Sequence, residues 1–373
     1  MHRWWTVVAA LLVGVGAMYA AQPGRNTAGP RPNVKLLQSP ADLVQGRVEE
    51  IKVGEPQRFG GLTMFPLIGR SIGGLDYLTL DEAMSQGAIR VGEKDEGEVN
   101  TIVIRNRSGD RVFIMDGEEV VGAKQNRVLN SSLMIGPKQI AEVPVSCVEQ
   151  GRWASVSDDF KPAGTQLFAR ARQVNTPAVS ENLAARPTAG AQGDQMRIWD
   201  EVAAKRANLS MAKPSGPMHE AYEKFDKDIG DYTRHFEIVS DQVGALFAIN
   251  GEIVGADIFD QSRTLKRLFA KLVKSYALDA IEKHRTGPEL VPDRDDARHF
   301  LRLVLEPGVS IRDYESAGEG RDVRITARRI NGAALVVAQR AVHVSLFAPE
   351  KGAPELLRPS SGLRPPRERR ELR

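Results

Sequence analysis

Between residues 45 and 155 the apolar positions come in short runs, separated by residues that favour turns. Thr79 followed by Asp81 and Glu82 has the N-cap and acidic first turn of a brief helix, ending near Gln86-Gly87. The runs VNTIVIRN, RVFIMD, EEVVGA, RVLNSSLMI and IAEVPVSCVE follow, divided by Ser108-Gly109, Asp116-Gly117 and Gly136-Pro137. Glycine and proline at those points supply a positive or a fixed φ. The pattern predicts consecutive hairpins, a meander that buries one face as a sandwich or a barrel.

The periodicity then changes. Residues 156–194, with Pro162, Pro177, Pro187 and several glycines, read as loop. Met196, Ile198, Trp199, Val202, Ala203 and Leu209 fall on one side of a helix, and Tyr222, Phe225, Ile229 and Tyr232 on one side of a second. The longest stripe runs from Leu265 through Leu268, Phe269, Leu272, Val273, Tyr276, Ala277 and Ala280 to Ile281. Its unbroken spacing of three and four predicts a long amphipathic helix packed on a sheet or on another helix. The last block, RDVRITARRINGAALVVAQRAVHVSLFA, alternates and contains Asn331-Gly332, a strong two-residue hairpin signal. FIMDGEEVVGA (113–123) and FAINGEIVGA (247–256) echo each other, but their flanks differ. They read as two ordinary hairpins with Asp-Gly and Asn-Gly turns rather than as a duplicated domain. The expected class is α+β: an N-terminal antiparallel β-meander, sandwich- or barrel-like, over 45–155, then amphipathic helices packed on further antiparallel strands over 156–348.

Composition places the chain among globular proteins, with 42% apolar and 27% charged residues in 373. A net charge of +3 is close to balance, so it implies no obligatory polyanion and carries no specific nucleic-acid signal. The start, MHRWWTVVAALLVGVGAMYAAQ, sets a basic end before an apolar run and small residues, the layout of a secretory signal peptide over 1–21. The alternative is an uncleaved anchor, which would be the only membrane contact. Either route predicts a periplasmic or secreted protein. Residues 22–44 read as a linker and 349–373 as a basic disordered tail. One cysteine cannot form an internal disulfide, so Cys147 is either buried packing or a free thiol.

The candidate chemistry gathers around that cysteine. If 127–135 and 140–149 form a hairpin closed by Gly136–Gln139, Val128 faces Cys147 and Asn126 faces Glu149, within one register step. Lys124, Gln125, Asn126 and Arg127 then meet Cys147 and Glu149 at the end remote from the turn, with Arg152 and Trp153 just beyond. Amides and guanidinium suit a carbonyl, a ring edge or a phosphate. Glu149 beside Cys147 offers a base for a thiol whose pKa nearby arginines lower, so these two are the catalytic candidates. The opposing reading is inert packing for the thiol, with ion pairs and loop hydrogen bonds for the rest. Glu118 and Glu119 point to opposite strand faces, so at most one reaches the cluster. His219, His235, His284, His299 and His343 are scattered without metal-ligand spacing, and no metal or cofactor is expected. His299 reads as a helix-surface or packed residue. No GxSxG, Walker loop or GxGxxG is present, and Gly73-Gly74 reads as a turn.

The run from Asp116 to Arg127, with Val143 to Trp153, resembles the ARG and rhodanese-phosphatase-superfamily-associated protein domain, over residues from about 45 to 345. ARG stands for ADP-ribosylglycohydrolase, so the resemblance implies a link to nucleotide or ADP-ribose chemistry. It carries over the motif positions Glu118, Gln125, Asn126, Arg127, Cys147, Glu149, Arg152 and Trp153 without catalytic roles. The expected function is binding, with or without processing, of a small polar or phosphorylated ligand at this cluster. The rival is a cell-envelope binding or scaffold protein whose motif residues only support the fold. Whether the protein is an enzyme, and which protein partner it has, the residues leave open.

Overall fold

Ser39 opens the first helix. Its N–H and hydroxyl bond the Asp42 carboxylate, and the Asp42 N–H returns a bond to Ser39 Oγ at 3.1 Å. This capping box starts α1 (Pro40–Glu49) inside the stretch read as a linker, with proline at the first position, where no N–H is needed. The computed structural model describes residues 37–94, 100–151, 157, 159–213, 215–283 and 292–349. Its helices and strands all fall in a unit that begins at Gln38.

After α1 come β1 (Lys52–Val53), β2 (Gln57–Phe59), β3 (Leu62–Ile68), β4 (Tyr77–Thr79) and α2 (Leu80–Ser85). Then follow β5 (Ile89–Glu93), β6 (Thr101–Asn106), β7 (Arg111–Ile114), β8 (Glu118–Gly122), β9 (Arg127–Leu129), β10 (Leu133–Ile135), β11 (Ile140–Cys147) and β12 (Phe160–Gln166). The helices are α3 (Ala169–Ala185), α4 (Gln195–Asn208), α5 (His219–Lys224) and α6 (Asp226–His235). The hairpin β13 (Gln242–Ile249) and β14 (Glu252–Phe259) leads to α7 (Ser262–Glu282) and α8 (Arg294–Arg302). Last come β15 (Ser310–Glu315), β16 (Arg321–Thr326), β17 (Asn331–Val337) and β18 (Arg340–Phe347).

The strands form three sheets and make an α+β protein. A nine-stranded sheet runs β1-β3-β13-β14-β18-β17-β16-β15, with β2 also on β3. A six-stranded sheet runs β12-β8-β9-β11-β6-β5 and curls into a half-barrel, whose edges touch at one bridge between Gly92 and Asp159. The strands of the small sheet β10-β7-β4 are interleaved in sequence with those of the half-barrel, and its β4–β7 pair is parallel.

Alternation along β3 shows how the large sheet is buried. Phe65 and Leu67 pack with Val44 and Val48 of α1 and Phe300 of α8. Leu62 and Met64 pack the other way, with Leu265, Leu268 and Leu272 of α7 and Phe113 of β7. The long stripe on α7 is therefore the cover of the large sheet, as its periodicity predicts. Inside the half-barrel lie Val91, Ile102, Ile104, Val120, Leu129, Val145 and Phe160. Outside it, Val128 and Val148 pack against α3, α4 and α5. The Thr79 helix is α2: the Glu82 carboxylate accepts the Thr79 N–H at 2.9 Å, and Gly87 ends the element at φ 68°.

Five segments depart from their expected form. Residues 160–185 are strand and helix, not loop. The buried face of α3 mixes small apolar residues with Arg172, Asn175, Thr176 and Ser180, so it leaves no clean apolar stripe to read, and Pro177 lies within it. The expected strand RVLNSSLMI splits, because the chain leaves the half-barrel at Asn130–Ser132 and β10 pairs with β7. Asp116-Gly117 is accordingly a crossing between sheets, since β7 and β8 do not pair, whereas Asn250-Gly251 is a true hairpin turn with both φ values positive. Asn331-Gly332 lies within β17; the next turn is Ala338-Gln339, at φ 48° and 57°. A Cβ on Gly332 would stand 2.6 Å from the Ser345 oxygen, so close strand approach is what that glycine serves. The second expected helix is two, α5 and α6, meeting at Phe225.

Candidate functional site

The two polar stretches do meet. Cys147 faces Arg127, Ser146 faces Val128 and Val145 faces Leu129, one step from the expected register. The reason lies in the split strand. With β10 in another sheet and the first half of β11 paired to β6, the Gly136–Gln139 turn no longer sets the pairing. Instead the Val148 N–H bonds Asn126 O at 3.1 Å, and the Asn126 N–H reaches Glu149 Oε2 at 3.4 Å. Gln125, Asn126, Arg127, Cys147 and Glu149 thus share one end of the half-barrel. Arg152 and Trp153 lie outside the described residues.

Arg127 is the plug of that end. Its side chain is 1% exposed, and Nη1 donates to Gln125 O at 2.6 Å. Nη2 stands 3.7 Å from Glu93 Oε1, and the guanidinium carbon lies 6.0 Å from the Phe160 ring centre. Glu93 also accepts the Lys124 N–H at 3.0 Å and pairs with Lys124 Nζ at 3.6 Å. Nothing in the spacing marked Glu93, because it comes from β5 across the barrel. The loop itself is strained: buried Ala123 adopts φ 47°, a region that costs a non-glycine residue about 1–2 kcal/mol. Gln125 is fully buried, and neither Nε2 nor Oε1 has a hydrogen-bond partner among the described residues.

The thiol is poorly placed for attack. Cys147 is 1% exposed, and its backbone is clasped by Gln195, which accepts its N–H and donates to its carbonyl, both at 2.8 Å. Burial pushes the thiol pKa up; Arg127 pulls it down, Glu93 adds to the rise, and the result lies above the ordinary value of 9.0. At neutral pH the group is a protonated thiol.

Glu118 has other partners. It is buried, accepts the Met115 N–H at 2.7 Å and forms an ion pair with Lys271, which also bonds Asp81 at 2.8 Å. Burial would lower the Lys271 pKa, but Glu118 and Asp81 raise it further, so the ammonium persists. This pair ties β8 to α7. Glu119 faces the other way, accepts the Thr165 hydroxyl at 2.7 Å and stands 3.5 Å from His219 Nδ1. The hydrogen bond to Glu119 raises the His219 pKa, against the effect of burial.

A second polar centre escaped the sequence. Arg172 of α3, fully buried, donates Nε and Nη2 to Asp116 Oδ2 at 3.1 Å, and Nη2 to Asp257 Oδ1 at 2.7 Å. His343 Nε2 lies 3.1 Å from Asp257 Oδ1, and its Nδ1 lies 2.8 Å from Ser132 Oγ. The Tyr276 hydroxyl beside them has no partner among the described residues. Asp116, Asp257 and His343 bring three ligand atoms within 4.8 Å of one another, as a metal site would. Here the guanidinium bonds both carboxylates and supplies the positive charge itself. Burial raises the Asp257 pKa, but Arg172 and His343 more than offset it and hold it below the usual carboxylate range. The Ser132–His343–Asp257 chain is enclosed, so its evident work is to fasten the two sheet crossings to β14 and β18. The one signal was the echo, for Asp116 lies in the first segment and Asp257 just past the second.

A half-barrel with a charged plug, joined to a large antiparallel sheet through a buried guanidinium, defines the architecture. The chain belongs to the family of the ARG and Rhodanese-Phosphatase-superfamily-associated Protein domain, whose model matches residues 50–347. No curated protein and no solved structure matches it.

Proposed function

We propose that the protein binds a small polar ligand at the Gln125–Arg127 end of the half-barrel, by hydrogen bonding and without covalent chemistry at Cys147. The observation that carries this reading is the Gln125 amide, fully buried with neither polar atom partnered among the described residues. A buried unsatisfied group costs about 1–3 kcal/mol, so retaining two at one position calls for a compensating use. A ligand presenting a donor and an acceptor side by side, as a nucleotide base or carboxamide does, would satisfy both. The family's association with ADP-ribose chemistry agrees with such a ligand. Burial of the thiol and its raised pKa argue for recognition rather than nucleophilic attack.

The test is a thermal-shift series on wild type and Gln125→Met with nucleotides, ADP-ribose and sugar phosphates. Methionine keeps the length without the amide, so the free variant should melt higher and lose the ligand-induced shift. A variant that melts lower, or responds to the same ligands as wild type, would sink the reading.

The rival, a cell-envelope scaffold, is favoured by Arg127, whose charge is spent on Glu93 and two carbonyls. Both readings share an export step, which rests on the basic, apolar and small-residue order of residues 1–21. Among the described residues no helix is long and apolar enough to cross a membrane. A reporter fused after Pro30 should therefore appear in the periplasm or medium on fractionation; cytoplasmic retention overturns export.

A further inference from the structure

We infer that the cleft on the outer face of β5 and β6 is a second binding site, specific for a small phosphorylated compound. It has a volume of about 270 Å³. Arg90 and Gly92 of β5, Val103 and Arg105 of β6 and the following Arg107 form its walls, with Glu93 and Asp159 at the rim. Residues two apart on a strand share a face, and Arg90 stands directly opposite Arg105. Like charges opposite each other destabilise a strand pair, so this pairing is not explained by folding.

The acids at the rim do not cancel the arginines. Asp159 takes Arg90, whose Nε lies 2.6 and 2.7 Å from its two oxygens. Glu93 is engaged with Lys124 and Arg127. Arg105 and Arg107 are exposed, and among the described residues neither guanidinium has an acidic partner. Two positive forks thus remain for the cleft, the donor geometry that phosphate oxygens accept. Gly92 leaves the floor bare, since a Cβ there would meet only Asp159 Oδ1 at 3.7 Å.

Size and charge narrow the ligand. The volume lies just below the ~300–1,000 Å³ of common small-molecule pockets, which suits a sugar phosphate better than a dinucleotide. A long polyanion is disfavoured by Glu142, exposed beside Val103 across β6 and paired to Lys94 at 3.0 Å.

This inference is independent of Gln125, and the test separates them. Calorimetric titration of the full chain should show binding of ribose 5-phosphate and of inorganic phosphate, weakening as salt rises, and no binding of ribose. Arg105→Ala/Arg107→Ala should weaken phosphate binding about a hundredfold, roughly tenfold for each charge-assisted contact, while Gln125→Met leaves it unchanged. Both arginines are exposed and the loss of Arg105 relieves its like-charge pairing with Arg90, so the alanine variant should melt no lower than wild type. Arg105→Lys/Arg107→Lys, which keeps charge but loses the fork, should fall between. Equal binding of ribose and its phosphate, undiminished binding by the alanine variant, or binding of heparin alone would overturn the site.

Discussion

Arg172→Ala should lower the unfolding free energy by about 3–5 kcal/mol, the usual loss when one partner is stripped from a buried ionic group. The loss comes from Asp116 and Asp257, left enclosed without the guanidinium that bonds both. Urea unfolding of variant and wild type at neutral pH measures it. The pH dependence has a definite sign. The Asp257 pKa is depressed in the folded state, so its contribution is present above the ordinary value of 3.8 and fades as pH falls through the folded one. The gap between variant and wild type should therefore narrow in acid. Zinc should raise the melting temperature of the variant and not of wild type, because Asp116, Asp257 and His343 then face each other with no resident cation. A loss under ~1 kcal/mol, set against the handful that such charges ordinarily cost, would mean the centre does not hold the sheets together.

Arg127→Ala should cost about 2–4 kcal/mol, from a cavity at the barrel end and two carbonyls left without their donor. From the sequence, Arg127→Ala is expected to abolish ligand binding with a modest loss of stability. Its 1% exposure makes a larger loss of stability the expected result. Glu93 keeps Lys124 as a partner and is partly solvated, which holds the figure below that for Arg172. Arg127→Met should recover the packing part but not the hydrogen bonds. Denaturant midpoints of the three proteins test the ordering, and an alanine variant as stable as wild type would refute it.

The two arginines also mark where sequence was legible and where it was not. Short-range signals survived: the Thr79–Glu82 cap, the α7 stripe, the Asn250-Gly251 turn and the strand cores of the meander all follow from local spacing. The meeting of 125–127 with 147–149 was also accessible, because both flank one apolar stretch. Long-range pairing was not. Glu93 reaches Arg127 only because the sheet curls, and β10 leaves its neighbours for β7, a choice no local residue announces. Arg172 was hidden twice over. Its helix buries polar residues, which erases the periodicity, and its partners Asp116 and Asp257 are 56 and 85 residues away. Arg105 and Arg107 carry no signal in the sequence, and only the cleft gives them a common direction.

The order of strands in the large sheet has a consequence for synthesis. Met64 on β3 rests beside Gln242 on β13, 178 residues later in the chain. At a ribosomal rate of about 5–20 residues per second, roughly ten to thirty-five seconds pass before that partner emerges. For that interval Met64, Phe65 and Leu67 have neither β13 nor the α7 and α8 side chains that cover them. The nascent chain therefore carries a half-covered apolar strand through nearly half of its translation, and a holding chaperone is the natural guardian of its yield.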